Sequence, residues 1–220
     1  MKSILVLGAG RSCSTLIKHL LMRSEECEWR VVVGDIDLQV ARLKIDGHPR
    51  GEAFELSSTD NSERDKRIAE ADLVMSMVPP FLHAGVAKVA IRAGVSVITP
   101  SYLSDEMIAL DAEARKAGVL VLNEIGLDPG IDHMSAMQVI DEIKADGGEM
   151  IGFESYCGGL VATESDNNPW HYKISWNPRN IILAGQGGSA TFKDNGRVKL
   201  EPPHRVFRRL RPVNIDGCLY

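Results

Sequence analysis

The sequence predicts an α/β fold: a doubly wound parallel sheet, followed by the incomplete start of a second α/β domain with α+β character. Up to about residue 123, short β-branched runs alternate with stretches of helical spacing. The runs are almost continuously apolar, which is typical of parallel strands that helices cover on both faces. After Asn123 this alternation stops. We therefore predict one domain over residues 1–123 and a second, partial domain over residues 124–220.

The six strands expected in the first domain are residues 3–7, 29–33, 53–56, 72–78, 96–99 and 119–122. Helical spacing is found over residues 11–22, 60–71, 81–93 and 104–117. Ser104 is predicted to be a helix N-cap, and Gly94 and Gly118 stand where helix C-caps belong. Six strands joined by five crossovers indicate a Rossmann-type dinucleotide-binding sheet.

Residues 124–220 show no single repeating pattern of strands and helices. A helix is predicted over residues 131–145, because Gly147 and Gly148 would stop it. Alternation over residues 151–157 predicts a strand, and residues 166–179 are expected to be irregular. Residues 191–200 predict a hairpin that turns at positions 194–196.

Composition excludes several classes of protein. The 220 residues are 44% hydrophobic and 25% charged, which excludes wholesale disorder. Net charge is 25 − 30 = −5, so we expect neither a nucleic-acid binder nor a membrane binder. The four cysteines lie far apart, so neither a metal site nor a disulfide framework is expected. The apolar run at residues 4–7 is too short for a signal peptide, which predicts a cytoplasmic protein.

A glycine turn follows the first strand. Gly8 would allow the tight turn, and Gly10 would let the backbone approach a pyrophosphate at the helix N-terminus. Arg11 and Ser12 open the following helix. Cys13 takes the third position of the motif, where Gly or Ala is usual, and so changes how closely helix and strand pack. We predict a dinucleotide site here, the alternative being a purely structural turn.

Acidic residues end the second strand, where a dinucleotide's adenosine ribose would lie. The carboxylate of Asp35 can accept hydrogen bonds from both ribose hydroxyls and would repel a 2′-phosphate. Ile36 follows it at the same site. The pattern favours NAD over NADP. Asp37 is interpreted as a helix N-cap.

Two further loops fall at the carboxyl ends of strands, where ligands bind in open α/β sheets. Val78 and Pro79 end the fourth strand and either lie beside a nicotinamide or simply terminate the strand. His83 either faces the cleft or caps the next helix. Ser101 and Tyr102 follow the fifth strand, and their hydroxyls could anchor a carboxylate.

The loop after the sixth strand concentrates glycine, proline and charge over residues 123–133. Asp128 could hydrogen-bond a substrate ammonium or secondary amine. Asp132 is interpreted as a partner of a helix dipole, and His133 as structural more than functional. Cys157 has no evident His or Asp partner, so we expect a packing or ligand-lining thiol.

Residues 123–133 and 155–160 closely resemble the glutamate-forming saccharopine dehydrogenases, also called saccharopine reductases, and in particular a bacterial branch of that family. Residues 166–169 and 172–176 resemble them too. The resemblance extends along the whole chain, which corresponds to about the N-terminal half of the family.

The resemblance implies an oxidoreductase of the EC 1.5.1 class in the aminoadipate route of lysine metabolism. Such an enzyme interconverts saccharopine with glutamate and 2-aminoadipate 6-semialdehyde by hydride transfer to NAD or NADP at a C–N bond. It also implies that residues 124–220 belong to a substrate-binding and dimerisation domain, with a possible homodimer. The alternatives are an inactive or regulatory dinucleotide-binding fragment, and a dehydrogenase of another secondary amine such as carboxynorspermidine.

Roles for individual residues follow by the same resemblance. Substrate contacts are expected from Ser101, Tyr102, Asp128 and Arg179, and Cys157 would line the cofactor side. Catalytic candidates are Asp128, Lys173 and His83. For Lys173 and Arg179, a role as solvated surface charges stays an equal alternative. An incomplete second domain further predicts exposed apolar surface around Phe192, Val206 and Phe207.

Overall fold

A computed structural model describes residues 1–156, 161–169, 171–173, 189–194, 196–202, 205, 212, 214–215 and 218–219. The chain forms two compact units, Met1–Cys157 and Gly158–Tyr220. The first unit contains the large sheet and every site described below. The domain boundary at residues 123/124 stays a prediction. In the part of the chain that the structure describes, every helix is too short or too polar to cross a membrane.

The first unit is built on a six-stranded, all-parallel sheet. Its strands are β1 (Lys2–Leu7), β2 (Trp29–Asp35), β3 (Gly51–Glu55), β4 (Leu73–Ser76), β5 (Ser96–Ile98) and β6 (Val121–Leu122). The strand order is β3-β2-β1-β4-β5-β6. The order reverses between β1 and β4, which is the switch point where dinucleotides bind in this architecture. The predicted Rossmann-type sheet is confirmed.

The described chain contains seven α-helices: α1 (Ser14–Met22), α2 (Leu38–Ile45), α3 (Ser62–Ala69), α4 (His83–Ala93), α5 (Asp105–Ile108), α6 (Asp111–Ala117) and α7 (Ile131–Ala145). The prediction of one helix over residues 104–117 is wrong, because α5 and α6 break at Ala109 and Leu110. Leu110 is buried at this break and packs with Met107 and Ala114 against α4.

The predicted helix caps are confirmed by hydrogen bonds and backbone angles. The Asp37 carboxylate accepts the N–H groups of Gln39 and Val40 at the start of α2. The Ser104 hydroxyl accepts the Met107 N–H at 3.3 Å. Gly94 and Gly118 end their helices with φ of 73° and 68°.

The core lies on both faces of the sheet, as continuous apolar strands require. Along β1, Ile4 and Val6 pack into the cluster beneath α1 and α2, whereas Leu5 and Leu7 pack into the cluster beneath α3 and α4. Successive strand residues point to opposite faces, so all four are buried. This core fixes the positions of the strand ends, which carry the candidate site.

The strand predicted over residues 151–157 is wrong for residues 151–156, which form no regular element. Ile151 is fully exposed, and Phe153 is 57% exposed. A strand needs a hydrogen-bonding neighbour, and residues 151–156 pair with no strand in the described chain.

The second unit contains the hairpin predicted over residues 191–200. Strands β7 (Ala190–Asp194) and β8 (Arg197–Glu201) pair antiparallel, and Gly196 in the turn has φ of 78°. Two short antiparallel strands follow, β9 (Asn214–Ile215) and β10 (Cys218–Leu219). Val206, Phe207 and the Phe192 side chain lie outside the described residues, so exposure there stays a prediction.

Candidate functional site

Strand register brings the candidate loops to one edge of the sheet. Leu7, Gly34 and Ser76 are paired across β1, β2 and β4, so these three strands end at the same level. The glycine turn follows β1, the acidic turn follows β2, and the prolines follow β4. A ligand placed across the switch point between β1 and β4 would therefore meet all three turns.

Gly8 occupies a position that no other residue fits. Its φ is +98°, and a Cβ atom there would lie 2.7 Å from the Met77 carbonyl oxygen. The Gly8 N–H donates to the Gly34 carbonyl at 2.7 Å, which ties the turn to β2. The backbone of β1 thus turns sharply against β4, as the sequence predicts.

Gly10 lies on open space, since a Cβ atom built there would have no neighbour within 4 Å. Arg11 and Ser12 are exposed beside it, at the start of the turn that leads into α1. An open glycine at a helix N-terminus leaves room for a phosphate to approach the backbone. The residues present therefore fit a dinucleotide's pyrophosphate.

Cys13, at the third position of the glycine motif, lies between helix and sheet, as its expected effect on their packing requires. Its side chain is 1% exposed and packs in the core with Ile17 and Val33. Burial raises the pKa of the Cys13 thiol. The Cys13 side chain therefore sets the packing of helix on sheet, and a place for this residue in the cofactor site stays a prediction.

Asp35 lies beside the glycine turn at the end of β2. One carboxylate oxygen accepts the Ala9 N–H at 2.6 Å, and the other accepts the Asp37 N–H at 3.0 Å. A carboxylate has about four acceptor positions, so each oxygen retains one for a ligand hydroxyl. Ile36 is 67% exposed next to it. The adenosine end of a dinucleotide fits this arrangement.

Lys44 is a site residue that sequence reasoning missed. From α2, its ammonium donates to the Gly10 carbonyl and, at 3.0 Å, to the Ser14 hydroxyl. The contact places a positive charge beside the glycine turn, across 34 positions of sequence. Helical spacing gives no signal for it, because only the packing of α1 against α2 brings the two together.

His83 is buried behind Ser101. Its Nδ1 lies 2.8 Å from the Ser76 Oγ, and its Nε2 lies 2.7 Å from the Ser101 Oγ. The ring is 4% exposed, and burial lowers its pKa to about 4. It is the first residue of α4, after the Leu82 N-cap, and its buried ring neither caps the helix nor faces the cleft. Its link to the site edge is the contact with Ser101. Tyr102, the next residue, is 71% exposed.

The loop after β6 is folded back on itself and tied to the loop after β5. Glu124 N–H donates to the Ser101 carbonyl at 3.1 Å, and Ile125 N–H donates to the Thr99 carbonyl at 3.2 Å. Gly126 and Gly130 approach so closely that a Cβ atom on Gly130 would lie 2.2 Å from the Gly126 oxygen. The structure thus holds the two loops with the predicted substrate residues side by side.

Asp128 is exposed at the tip of this folded loop, and its peptide bond to Pro129 is cis. Val78 is half-buried and Pro79 exposed where β4 ends. The buried Oδ1 of Asn123 has no hydrogen-bond partner among the described residues. A buried acceptor of this kind is usually satisfied, so a ligand or water donor fits the position.

Asp132 and His133 form a pair at the start of α7. Asp132 Oδ1 accepts the Gly130 N–H at 2.8 Å and lies 2.7 Å from His133 Nδ1. The hydrogen bond and the negative charge of Asp132 raise the pKa of His133. Burial tends to raise the pKa of Asp132, but the hydrogen bonds from His133 and Gly130 lower it overall. The pair stabilises the loop and helix start.

Three of the predicted site residues, Cys157, Lys173 and Arg179, stay predictions. Cys157 and Arg179 lie outside the described residues. Lys173 is exposed in the second unit. Within the described ranges, no group of three His, Cys, Asp or Glu side chains could hold a metal ion.

Comparison with known proteins agrees with this geometry. The family model of the saccharopine dehydrogenase NADP binding domain matches residues 4–122, and that of the saccharopine dehydrogenase C-terminal domain matches residues 126–219. The saccharopine dehydrogenase [NADP(+), L-glutamate-forming] of Schizosaccharomyces pombe is 41% identical over 90% of this chain and 43% of its own length. The enzyme of the same name from Saccharomyces cerevisiae is 40% identical over 97% of this chain and 47% of its own.

A solved structure, the apo saccharopine dehydrogenase (L-Glu forming) of Saccharomyces cerevisiae, superimposes with a TM-score of 0.84. Sequence identity is 37%, over 100% of this chain and 48% of that one. The chain spans about half the length of these relatives. Two family models that together match nearly all of it, and a close structural match, lead to one conclusion: the chain belongs to the saccharopine dehydrogenase family.

Proposed function

We propose that this protein is a saccharopine dehydrogenase of the glutamate-forming type, which interconverts saccharopine with glutamate and 2-aminoadipate 6-semialdehyde. One observation supports it most: the open glycine turn and the hydroxyl and carboxylate loops lie along the same edge of one sheet. Such an edge can hold a dinucleotide and an amino-acid substrate next to each other. The names of the aligned relatives supply the substrate.

The chain's own residues provide binding and orientation. Gly8 and Gly10 would hold the pyrophosphate, Asp35 would bind the adenosine ribose, and Val78 would lie beside the nicotinamide. The nicotinamide, when bound, would supply the hydride acceptor for the carbon beside the secondary amine.

Two groups on this edge suit the substrate. Ser101 offers a hydroxyl to a carboxylate, and the exposed carboxylate of Asp128 can accept a hydrogen bond from the substrate's amine. We propose Asp128 as the residue that orients this amine for oxidation. Lys173 and Arg179 are proposed as cationic partners for the remaining substrate carboxylates.

Turnover and binding can be measured separately. The 220-residue chain should quench or enhance NADH fluorescence on binding, and saccharopine should drive reduction of NAD⁺ or NADP⁺, with carboxynorspermidine as the comparison substrate. Turnover with saccharopine supports the proposal. Binding without turnover favours a dinucleotide-binding fragment, a candidate raised by the chain's spanning about half of its relatives. Failure to bind both NADH and NADPH contradicts both candidates.

We also propose that NAD is preferred over NADP. Asp35 keeps acceptor positions toward a ribose, and its negative charge repels a 2′-phosphate. Asp35→Ser should shift the NADH/NADPH ratio of dissociation constants toward NADPH by about tenfold, as expected for losing a hydrogen bond to a charged group.

Asp37→Asn is the matched control, since it removes a charge two residues away while retaining a side-chain oxygen that can cap α2. We expect it to change the ratio much less. An unchanged ratio in Asp35→Ser would contradict the preference for NAD.

We propose a homodimer on the same family resemblance, and the cytoplasmic location stays a prediction. Sedimentation equilibrium of the purified protein tests the first: a mass near twice 24.1 kDa supports it, and a single-chain mass contradicts it.

A further inference from the structure

The buried imidazole of His83 links the end of β4 to the loop after β5. His83 Nδ1 lies 2.8 Å from Ser76 Oγ at the end of β4, and His83 Nε2 lies 2.7 Å from Ser101 Oγ after β5. Thr99 Oγ1 is 3.5 Å from the same Nε2. Ser76 and Thr99 are 0% and 1% exposed, so these groups depend on one another for hydrogen bonds.

The direction of the hydrogen bonds can be assigned from the network. Among the described residues, the Ser76 hydroxyl has His83 Nδ1 as its only partner. Its proton is satisfied only if Nδ1 accepts, because a proton on Nδ1 would leave the buried Ser76 hydroxyl without an acceptor. The proton of a neutral ring then lies on Nε2.

Two hydroxyl oxygens lie within 3.5 Å of Nε2, and either can accept its proton. Thr99 Oγ1 already accepts the Ser101 N–H at 3.3 Å, and Ser101 Oγ is the nearer acceptor for Nε2–H. The pKa of His83, lowered by burial to about 4, keeps the ring neutral at neutral pH. With Nε2–H donating to its oxygen, Ser101 retains its own hydroxyl proton for a ligand.

We propose that His83, anchored by Ser76, is a positioning residue that holds the Ser101 hydroxyl as a hydrogen-bond donor toward a carboxylate of the substrate. The part that concerns the substrate rests on the proposed function. We call the Ser76–His83–Ser101 hydrogen-bond chain the relay. It would favour a carboxylate at this position, because a hydroxyl whose oxygen already accepts Nε2–H still has its proton to donate to the ligand.

The relay itself can be tested without a substrate. Long-range ¹⁵N NMR of the 220-residue chain should show His83 with a protonated Nε2 and an unprotonated Nδ1 at neutral pH. Ser101→Ala should move the Nε2 resonance more than the Nδ1 resonance, and Ser76→Ala should do the reverse. A ring protonated on Nδ1, or a Nε2 resonance indifferent to Ser101→Ala, would overturn the proposal.

Kinetics then tests its role with saccharopine. His83→Asn places an amide near the Nδ1 position and loses the contact to Ser101, whereas His83→Gln reaches the Nε2 position. We expect His83→Asn to raise the KM for saccharopine about tenfold, the cost of one hydrogen bond to a charged group, and His83→Gln to recover most of that loss. In the Ser101→Ala background, His83→Asn should have no further effect on KM.

Val86→Ala is the control for stability, because Val86 is buried in the core on the same helix and outside the relay. It should lower the melting temperature without raising KM. If His83→Asn behaves like Val86→Ala, the relay is structural only and the proposal is wrong. If the wild-type chain turns over no saccharopine, the proposed function fails, and the NMR result alone decides whether the relay exists.

Discussion

Gly8 and Gly10, two residues apart, differ in what an added methyl group would meet. At Gly8 it would contact the Met77 carbonyl oxygen in a left-handed backbone, whereas at Gly10 it would project into open space. We expect Gly8→Ala to lower the free energy of unfolding by at least about 1–2 kcal/mol, the cost of a left-handed L-residue. Gly10→Ala should leave stability nearly unchanged.

NADH binding should reveal an effect of Gly10→Ala that stability does not. Gly10→Ala should raise the dissociation constant by about tenfold or more while the protein stays folded, since the methyl group fills the phosphate cradle. Urea unfolding and fluorescence titration measure both effects. Tight NADH binding by Gly10→Ala would show that the pyrophosphate does not lie at this turn.

His83 also makes stability depend on pH. Its pKa in the folded protein is about 4, below the ordinary 6.5, so the unfolded chain binds the proton first as pH falls. Stability is therefore complete above about pH 6.5 and is lost progressively toward pH 4, by up to about 3 kcal/mol at 1.36 kcal/mol per pKa unit.

Urea unfolding of wild type and His83→Gln between pH 7 and pH 4.5 measures this contribution. The variant lacks the titrating ring, so its stability should fall less over that range. Parallel pH profiles would mean that His83 is protonated as readily in the folded chain as in the unfolded one.

Helices α4 and α7 differ in how many of their side chains are buried. Helix α4 buries five residues: His83, Val86, Ala87, Ala90 and Ile91. Helix α7, described over its full length, buries none, and Ile131, Met134 and Val139 are more than half exposed. Amide hydrogens exchange fast in segments that few buried apolar contacts stabilise against local unfolding.

Hydrogen exchange of the 220-residue chain should therefore be at least about tenfold faster in α7 than in α4. Mass spectrometry of peptic peptides covering the two helices measures the difference, and α1, with three buried residues, provides an intermediate reference. Equal protection of α7 and α4 would mean that further contacts stabilise α7 against local unfolding in solution.

For the whole molecule, the first unit should be sufficient for binding a dinucleotide. The sheet, the glycine turn, Asp35 and Lys44 all belong to residues 1–157. A chain cut after Cys157 should bind NADH with a dissociation constant within about threefold of the 220-residue chain, a difference below about 1 kcal/mol.

Isothermal titration of the two chains with NADH provides the comparison, and Gly10→Ala in the shorter chain is its negative control. A tenfold weaker affinity after truncation would assign part of the cofactor site to residues 158–220.

The sequence alone determined the six strands of the first unit and their order along the chain. Continuous apolar strands and glycine C-caps are local signals, and they were enough to predict six parallel strands and the turn at Gly8. Beyond residue 131 the local signals were weaker. Alternation at residues 151–157 resembles a strand, but residues 151–156 form one only if a neighbour pairs with them.

The contacts between loops were decided only by the tertiary structure. The sequence predicted that Gly10, Asp35, Ser101 and Asp128 lie at the carboxyl ends of strands, since position along a strand is a local property. Lys44 at the glycine turn, Cys13 in the core and the Ser76–His83–Ser101 relay depend on which helix packs on which face. Those contacts join residues far apart in sequence, and no local pattern records them.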